Sequence, residues 1–328
     1  MRYHKVESMF SLQSGSIAPI VARSSKDRYE TLWIRPRTKA VGRKRRAPKL
    51  REVYRPLNDL KKIQRDIGQV LSRLFKPHPI AHAYAEGRDI VTNARTHLDA
   101  SVMLHIDLVD FFGSIEEQMV IDALNGVLPG VESEDIALIA DLCCRDGRLP
   151  QGSPASPVLS NLVCIPLDLR LANAGLSAGC NMGRYSDDID ISTSEASFPS
   201  DLASERNGKV ELGQPLLSII EESGFRVNWA KVRFQTRRTG LSVTGLNVGD
   251  RVTTPRGYRD NIRAALDRWA KEGVEKAARR TTGARSAEHF VNAVSGSIGF
   301  VGYVHGTDCV SYRRLKDDFT TLSKRDLA

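Results

Sequence analysis

Hydrophobic residues along the chain change period several times, and each change predicts an element. Between Pro56 and Leu74, the residues Leu57, Leu60, Ile63, Ile67, Val70, Leu71 and Leu74 recur at three- and four-residue spacings, the pattern of a helix with one apolar face. Ser101 to Ile115 reads as an apolar strand ending in Asp107 and turning between Asp110 and Gly113, and a helical pattern runs from Ile115 to Leu124. Asp110 suits a turn or helix N-cap. After the helix-start residues Ser156 and Pro157, Leu159, Leu162 and Val163 predict a helix that Pro166 should kink or end. Ile189 and Ile191 alternate with Asp188, Asp190 and Ser192 in the period-two manner of a half-buried strand. Ser194 to Gly208 predicts a polar loop, Leu216 to Glu222 a helix, and Gly224 to Asn228 the start of a strand. Met1 to Ile34 has no clear period and is expected to be an extension or cap.

The chemistry centres on Gly183 to Ser192, which contains the adjacent carboxylates Asp187 and Asp188. Neighbours on a regular strand point to opposite faces, so both can serve one centre only if the backbone turns between them, as at a hairpin tip on a sheet edge. Two like charges this close raise the pKa of one of them unless a cation neutralises both. Mg²⁺ is the natural cation, since it prefers carboxylate oxygens and substrate phosphates.

Composition narrows the partner. The 328 residues are 41% hydrophobic, enough for a substantial core, and the formal net charge of +9 favours a polyanion. Neither a long apolar run nor a signal peptide is evident, so nucleic acid is expected rather than membrane, in the cytoplasm. Five cysteines without C-x-x-C spacing argue against disulfides or zinc. From Arg35 to Arg65, thirteen basic residues face only Glu52 and Asp59, which reads as a phosphate-binding lobe. His78 and His82 are four apart, but Pro77 and Pro79 deny them a helix, so they read as structural.

Tyr185-Ser186-Asp187-Asp188 resembles the Tyr-x-Asp-Asp box of reverse transcriptases, and other motifs follow in that family's order. Arg51-x-Val53-x-x-Pro56 with Leu60-Lys61-x-Ile63-Gln64 resembles the fingers opening, where Lys49 and Arg51 would meet template and incoming nucleotide. Asp107 corresponds to the third carboxylate. Phe112, five positions later, matches the aromatic gate that excludes a 2′-hydroxyl, unless it is simply a core residue; Phe111 is the better core candidate, because gate and core face opposite ways. Gln151-Gly152-Ser153-Pro154-Ala155-Ser156-Pro157 resembles Gln-Gly-x-x-x-Ser-Pro, with Gln151 at the nucleotide and Gly152 permitting close backbone approach. Asn228 and Lys231 resemble Asn-x-x-Lys; Lys231 is either near the triphosphate or an ordinary surface lysine.

Two further elements resemble the retron branch: Asn93-Ala94-Arg95-Thr96-His97 and Val243-Thr244-Gly245. Asn93 and His97 are RNA-binding candidates, with a structural histidine as the alternative for His97. From Arg256 to Arg285 nine basic residues face four acidic ones, which suggests a basic helical thumb, with Arg256, Arg259, Arg263 and Lys271 as RNA contacts.

The resemblance implies an α+β right-hand polymerase. Residues 1–34 would be an extension, 35–100 fingers, 101–250 an antiparallel-sheet palm with interleaved helical segments, and 251–328 a helical thumb. It implies nucleotidyl transfer from dNTPs with two Mg²⁺ ions on Asp107, Asp187 and Asp188. The retron branch further implies a cognate structured non-coding RNA, priming on its 2′-hydroxyl, an RNA-linked single-stranded DNA product (msDNA), phage defence and an effector or toxin partner. The alternatives are a group II intron-like or diversity-generating enzyme, which would lack the paired retron elements, and an inactive RNA-binding scaffold, against which the three aspartates count.

Overall fold

The computed structural model describes residues 3–34 and 50–326. Most of the expected basic run, including Lys49, lies outside them.

Four strands form one sheet in the order Asn181–Tyr185, Asp188–Thr193, Val102–Asp107, Arg233–Thr236. Met103, Leu104 and Ile106 are completely buried on both faces of their strand, which is why it reads as a continuous apolar run and takes an inner position. The first two strands are a hairpin closed by Ser186 and Asp187, with Ser186 left-handed at φ 61°. The Asp188–Thr193 strand is not half-buried as its alternation predicts. Its polar side also lies inside, where Asp190 and Ser192, fully buried, have histidine partners: His105 Nδ1 lies 2.8 Å from Asp190 Oδ1 and His97 Nδ1 2.7 Å from Ser192 Oγ.

By internal contacts the described chain divides into two units: residues 3–34, 50–89, 104–191 and 198–234, and residues 90–103, 192–197 and 235–326. In the first, the helix Asn58–Leu74 buries Leu60, Ile63, Ile67 and Leu71, following the predicted spacing. Pro166 ends one helix and starts the next: Ser156–Val163 stops, and Ile165–Ser177 begins with the proline in its first turn, where its missing N–H costs nothing. The N-terminal segment, expected to be an extension or cap, packs into the first unit. Val6, Phe10, Ile17 and Ile20 enter the main core from short helices, too brief to show a period, and Tyr29–Ile34 pairs antiparallel with Arg51–Pro56. The expected loop after Ser194 contains the Ala203–Arg206 strand, paired with Lys209–Leu212. Gly224 to Asn228 makes only a bridge, Val227 to Leu108, and the strand itself starts at Arg233.

The second unit joins a small core, where the helix Ile90–Thr96 meets the hairpin Leu241–Val243 and Leu246–Val248, to a bundle of Arg256–Glu272, Val274–Arg280, Ala287–His305 and Val310–Asp326. Thr244 and Gly245 take positive φ at both turn positions, which the Gly accommodates and which fits a two-residue hairpin. Trp269 anchors the bundle, edge-on to Phe290 and Phe319, with its indole N–H donating to Asp326.

All five cysteines are free thiols. Among the described residues, no helix is long and apolar enough to cross a membrane.

Candidate active site

The Val102–Asp107 strand ends beside the hairpin turn, and this brings three carboxylates together. Ligand oxygens of Asp107, Asp187 and Asp188 all lie within 4.8 Å of one another. Asp107 is almost fully buried and held from one side: Asn228 Nδ2 donates to its Oδ1 at 2.8 Å, and Lys231 Nζ pairs with its Oδ2. Asn228 N–H also donates to the Asp107 carbonyl at 2.8 Å. Lys231 is therefore a partner of a catalytic candidate, which its half-exposed position alone would not suggest.

The pair at the turn is poorly neutralised. Burial raises the Asp187 pKa, and the Asp107 charge adds to it against Lys231 and Arg51. Burial likewise pushes Asp188 up to about 6; His105 opposes this, while Asp187, Asp190 and Asp107 reinforce it. His105 Nε2 lies 3.5 Å from Asp188 Oδ1, so the imidazole bridges Asp188 and the buried Asp190. Three converging carboxylates with too few cations fit a hard divalent ion.

Around them opens a cleft of about 890 Å³, bordered by Arg51, Tyr84, Phe112, Gln151, Asp187 and Lys231, among others. Phe111 and Phe112 both border this cleft, and Phe112 also packs against the main core. Phe111 is buried and stacks on Phe225 with ring centroids 5.5 Å apart, whereas Phe112 is half-buried, lines the cleft and faces Tyr84 at 6.3 Å. Arg148 fixes the next peptide by donating from Nη1 to the Gly113 carbonyl at 2.7 Å.

The Gln151 loop is stitched to a strand edge. Tyr54 N–H donates to the Gln151 carbonyl at 2.9 Å, and Gly152 has φ 117° with so little room that an added Cβ would sit 2.7 Å from the Tyr54 carbonyl oxygen. Gln64 secures the loop from behind: it accepts from Ser153 Oγ at 2.8 Å and donates to Tyr29 Oη and the Leu142 carbonyl.

The remaining candidates lie elsewhere. Asn93 and His97 are completely buried in the second unit, so in this conformation neither side chain presents an RNA-facing surface. His97 instead holds Ser192, as its structural reading allowed. Arg256 and Arg263 both pair with Asp260, and Lys271 with Asp267, all on the exposed face of one helix, while Arg259 turns inward to donate to the Thr254 carbonyl at 2.6 Å.

Residues 43–248 match the family described as Reverse transcriptase (RNA-dependent DNA polymerase). The chain is 27% identical over 300 residues to the Retron Ec86 reverse transcriptase of Escherichia coli, covering 90% of this chain and 83% of that protein. It is 32% identical over 238 residues to the Retron Mx162 reverse transcriptase of Myxococcus xanthus, covering 66% of this chain and about half (49%) of that one. In fold it resembles telomerase from Candida albicans, solved in complex with a TWJ fragment of telomeric RNA, at a TM-score of 0.51 and 10% identity over 92% of this chain and 57% of that one. The α+β architecture is accordingly that of the right-hand polymerases. The chain belongs to the reverse transcriptase (RNA-dependent DNA polymerase) family, and its curated relatives place it on the retron branch.

Proposed function

We propose that this chain copies a cognate structured RNA into RNA-linked single-stranded DNA, with Asp107, Asp187 and Asp188 as the catalytic and metal-binding set. The observation that carries the proposal is their convergence within 4.8 Å at the floor of a cleft bordered by Phe112 and Gln151. Two Mg²⁺ ions held by these carboxylates would activate the primer hydroxyl and stabilise the leaving pyrophosphate. The protein's own groups supply the rest. Phe112 excludes the 2′-hydroxyl by bulk. The Gln151 loop, fixed by Tyr54 and Gln64, supports the base and sugar. Arg51 and Lys231 supply positive charge for the triphosphate. Lys49 joins them in this reading.

Fingers, palm and thumb correspond in this proposal to residues 35–100, 101–250 and 251–328. RNA selection belongs to the basic thumb helix and the Asn93 to His97 element, the latter by shaping its unit rather than by direct side-chain contact. Priming on an RNA 2′-hydroxyl, a cytoplasmic setting, a phage-defence role and an effector partner follow from the retron assignment. Sequencing nucleic acid copurified after expression with the native locus tests it: branched, RNA-linked DNA is expected, and linear or absent DNA would refute the retron product.

A further inference from the structure

The catalytic turn rests on a buried ion pair for which the reaction above has no use. Arg184, three residues before Asp187, is fully buried, and so is Asp168 in the helix Ile165–Ser177. The guanidinium grips this carboxylate at two points, Nε to Oδ1 at 2.5 Å and Nη2 to Oδ2 at 2.7 Å. Nη2 also donates to Asn161 Oδ1 at 3.0 Å, and Nη1 to the carbonyl of Ser186 at 3.2 Å. Asn161 belongs to the helix that follows the Gln151 loop, and its Nδ2 donates to the Ala83 carbonyl at 2.8 Å.

Stability alone does not explain this arrangement. Desolvating two charges costs so much that a buried pair is often no better than two apolar side chains of similar volume. Apolar side chains could hold the helix against the strand, but they could not hold the Ser186 carbonyl. That carbonyl opens the peptide leading into Asp187, and it belongs to a left-handed, non-glycine residue whose conformation must be enforced by its surroundings.

We infer that Arg184, oriented by Asp168, is a positioning residue that fixes the Ser186–Asp187 peptide, and with it the aim of the Asp187 carboxylate. The inference rests on the reading of Asp107, Asp187 and Asp188 as the metal-binding catalytic set. It makes the guanidinium fork essential, because a point charge cannot hold Asp168, Asn161 and Ser186 together.

The test compares the wild-type chain with Arg184→Lys and with the double replacement Arg184→Met, Asp168→Leu, which leaves no buried charge unpaired. Thermal midpoint, Mn²⁺ binding followed by electron paramagnetic resonance, and kcat and KM for dNTP on an annealed RNA template and DNA primer are measured for each. Both variants are expected to fold, to lose roughly 10- to 100-fold in kcat and to bind Mn²⁺ more weakly, with KM for dNTP nearly unchanged. A folded variant with wild-type kcat and Mn²⁺ affinity overturns the inference. So does a rate loss that merely follows the folded fraction while Mn²⁺ affinity stays constant. If the double variant does not fold, Arg184→Lys decides by the same readouts. A wild-type chain that extends no primer overturns the proposed function instead, and Mn²⁺ affinity then judges Arg184 by itself.

Discussion

The cleft and the Arg256–Glu272 helix are both densely charged, but they treat charge in opposite ways. In the cleft, Asp187 and Asp188 converge with insufficient positive partners, and both pKa values rise. On the helix, Arg256, Arg263 and Lys271 find acidic residues three or four positions away. The first arrangement costs stability, a cost that an added cation would remove. The second pairs part of its own charge, with Arg256 and Arg263 sharing Asp260. A count of charges along the sequence does not separate these cases; the distances do.

Breaking the first side gives the largest expected effect. Asp187→Asn keeps the side-chain volume but removes a charge proposed to hold metal, so it should abolish primer extension while RNA binding and fold persist. Retained extension would remove Asp187 from the catalytic set. Next, Phe112→Ala or Phe112→Val should cut the preference for dNTP over rNTP by at least roughly tenfold, as expected when a steric filter is lost. An unchanged preference in steady-state incorporation would make Phe112 a core residue.

The electrostatic cost itself can be measured. The folded pKa of Asp188, about 6, lies above its ordinary value of 3.8. Its protonated form therefore favours the fold below pH 3.8, and this contribution is lost as pH rises through 6. Without metal, Asp188→Asn should melt higher than wild type at pH 7, the difference shrinking towards pH 4, and Mg²⁺ should raise the wild-type midpoint more than the variant's. Parallel melting curves across pH would contradict this.

The smallest effect belongs to the helix. Neutralising Arg259, Arg263 and Lys271 should flatten the salt dependence of RNA binding by less than the roughly 0.7 to 0.9 per phosphate contact that free cations would give. Arg263 and Lys271 already have acidic partners, and Arg259 is committed to Thr254. Competitive binding over a salt series reads the slope, and a loss of the full amount for all three would show that RNA displaces the internal pairs.

What the sequence disclosed follows the range of the interactions. Asp187 and Asp188 are adjacent, so their need for a turn could be read directly, and Pro166 announced a helix break by its own covalent structure. Asp107 required a motif, because eighty residues of chain separate it from the turn. The Arg184–Asp168 pair joins a strand to a helix and left no periodic trace. Asp190 and Ser192 looked solvent-facing because alternation reports polarity, not burial, and their histidine partners come from distant segments. Val6 and Phe10 were missed because one short helix shows too few turns to establish a period.

The five free thiols offer an experimental handle. Burial drives Cys143 and Cys144 far above the ordinary thiol range, Cys164 up to about 12, and raises Cys180 as well. Cys309 moves the other way: partial burial opposes the shift, but the Tyr312 and Ser311 amides and the nearby Arg251 outweigh it. Maleimide chemistry near neutral pH should thus favour Cys309, at the start of the last helix, over the other four thiols, offering a reporter of RNA engagement near the end of the chain.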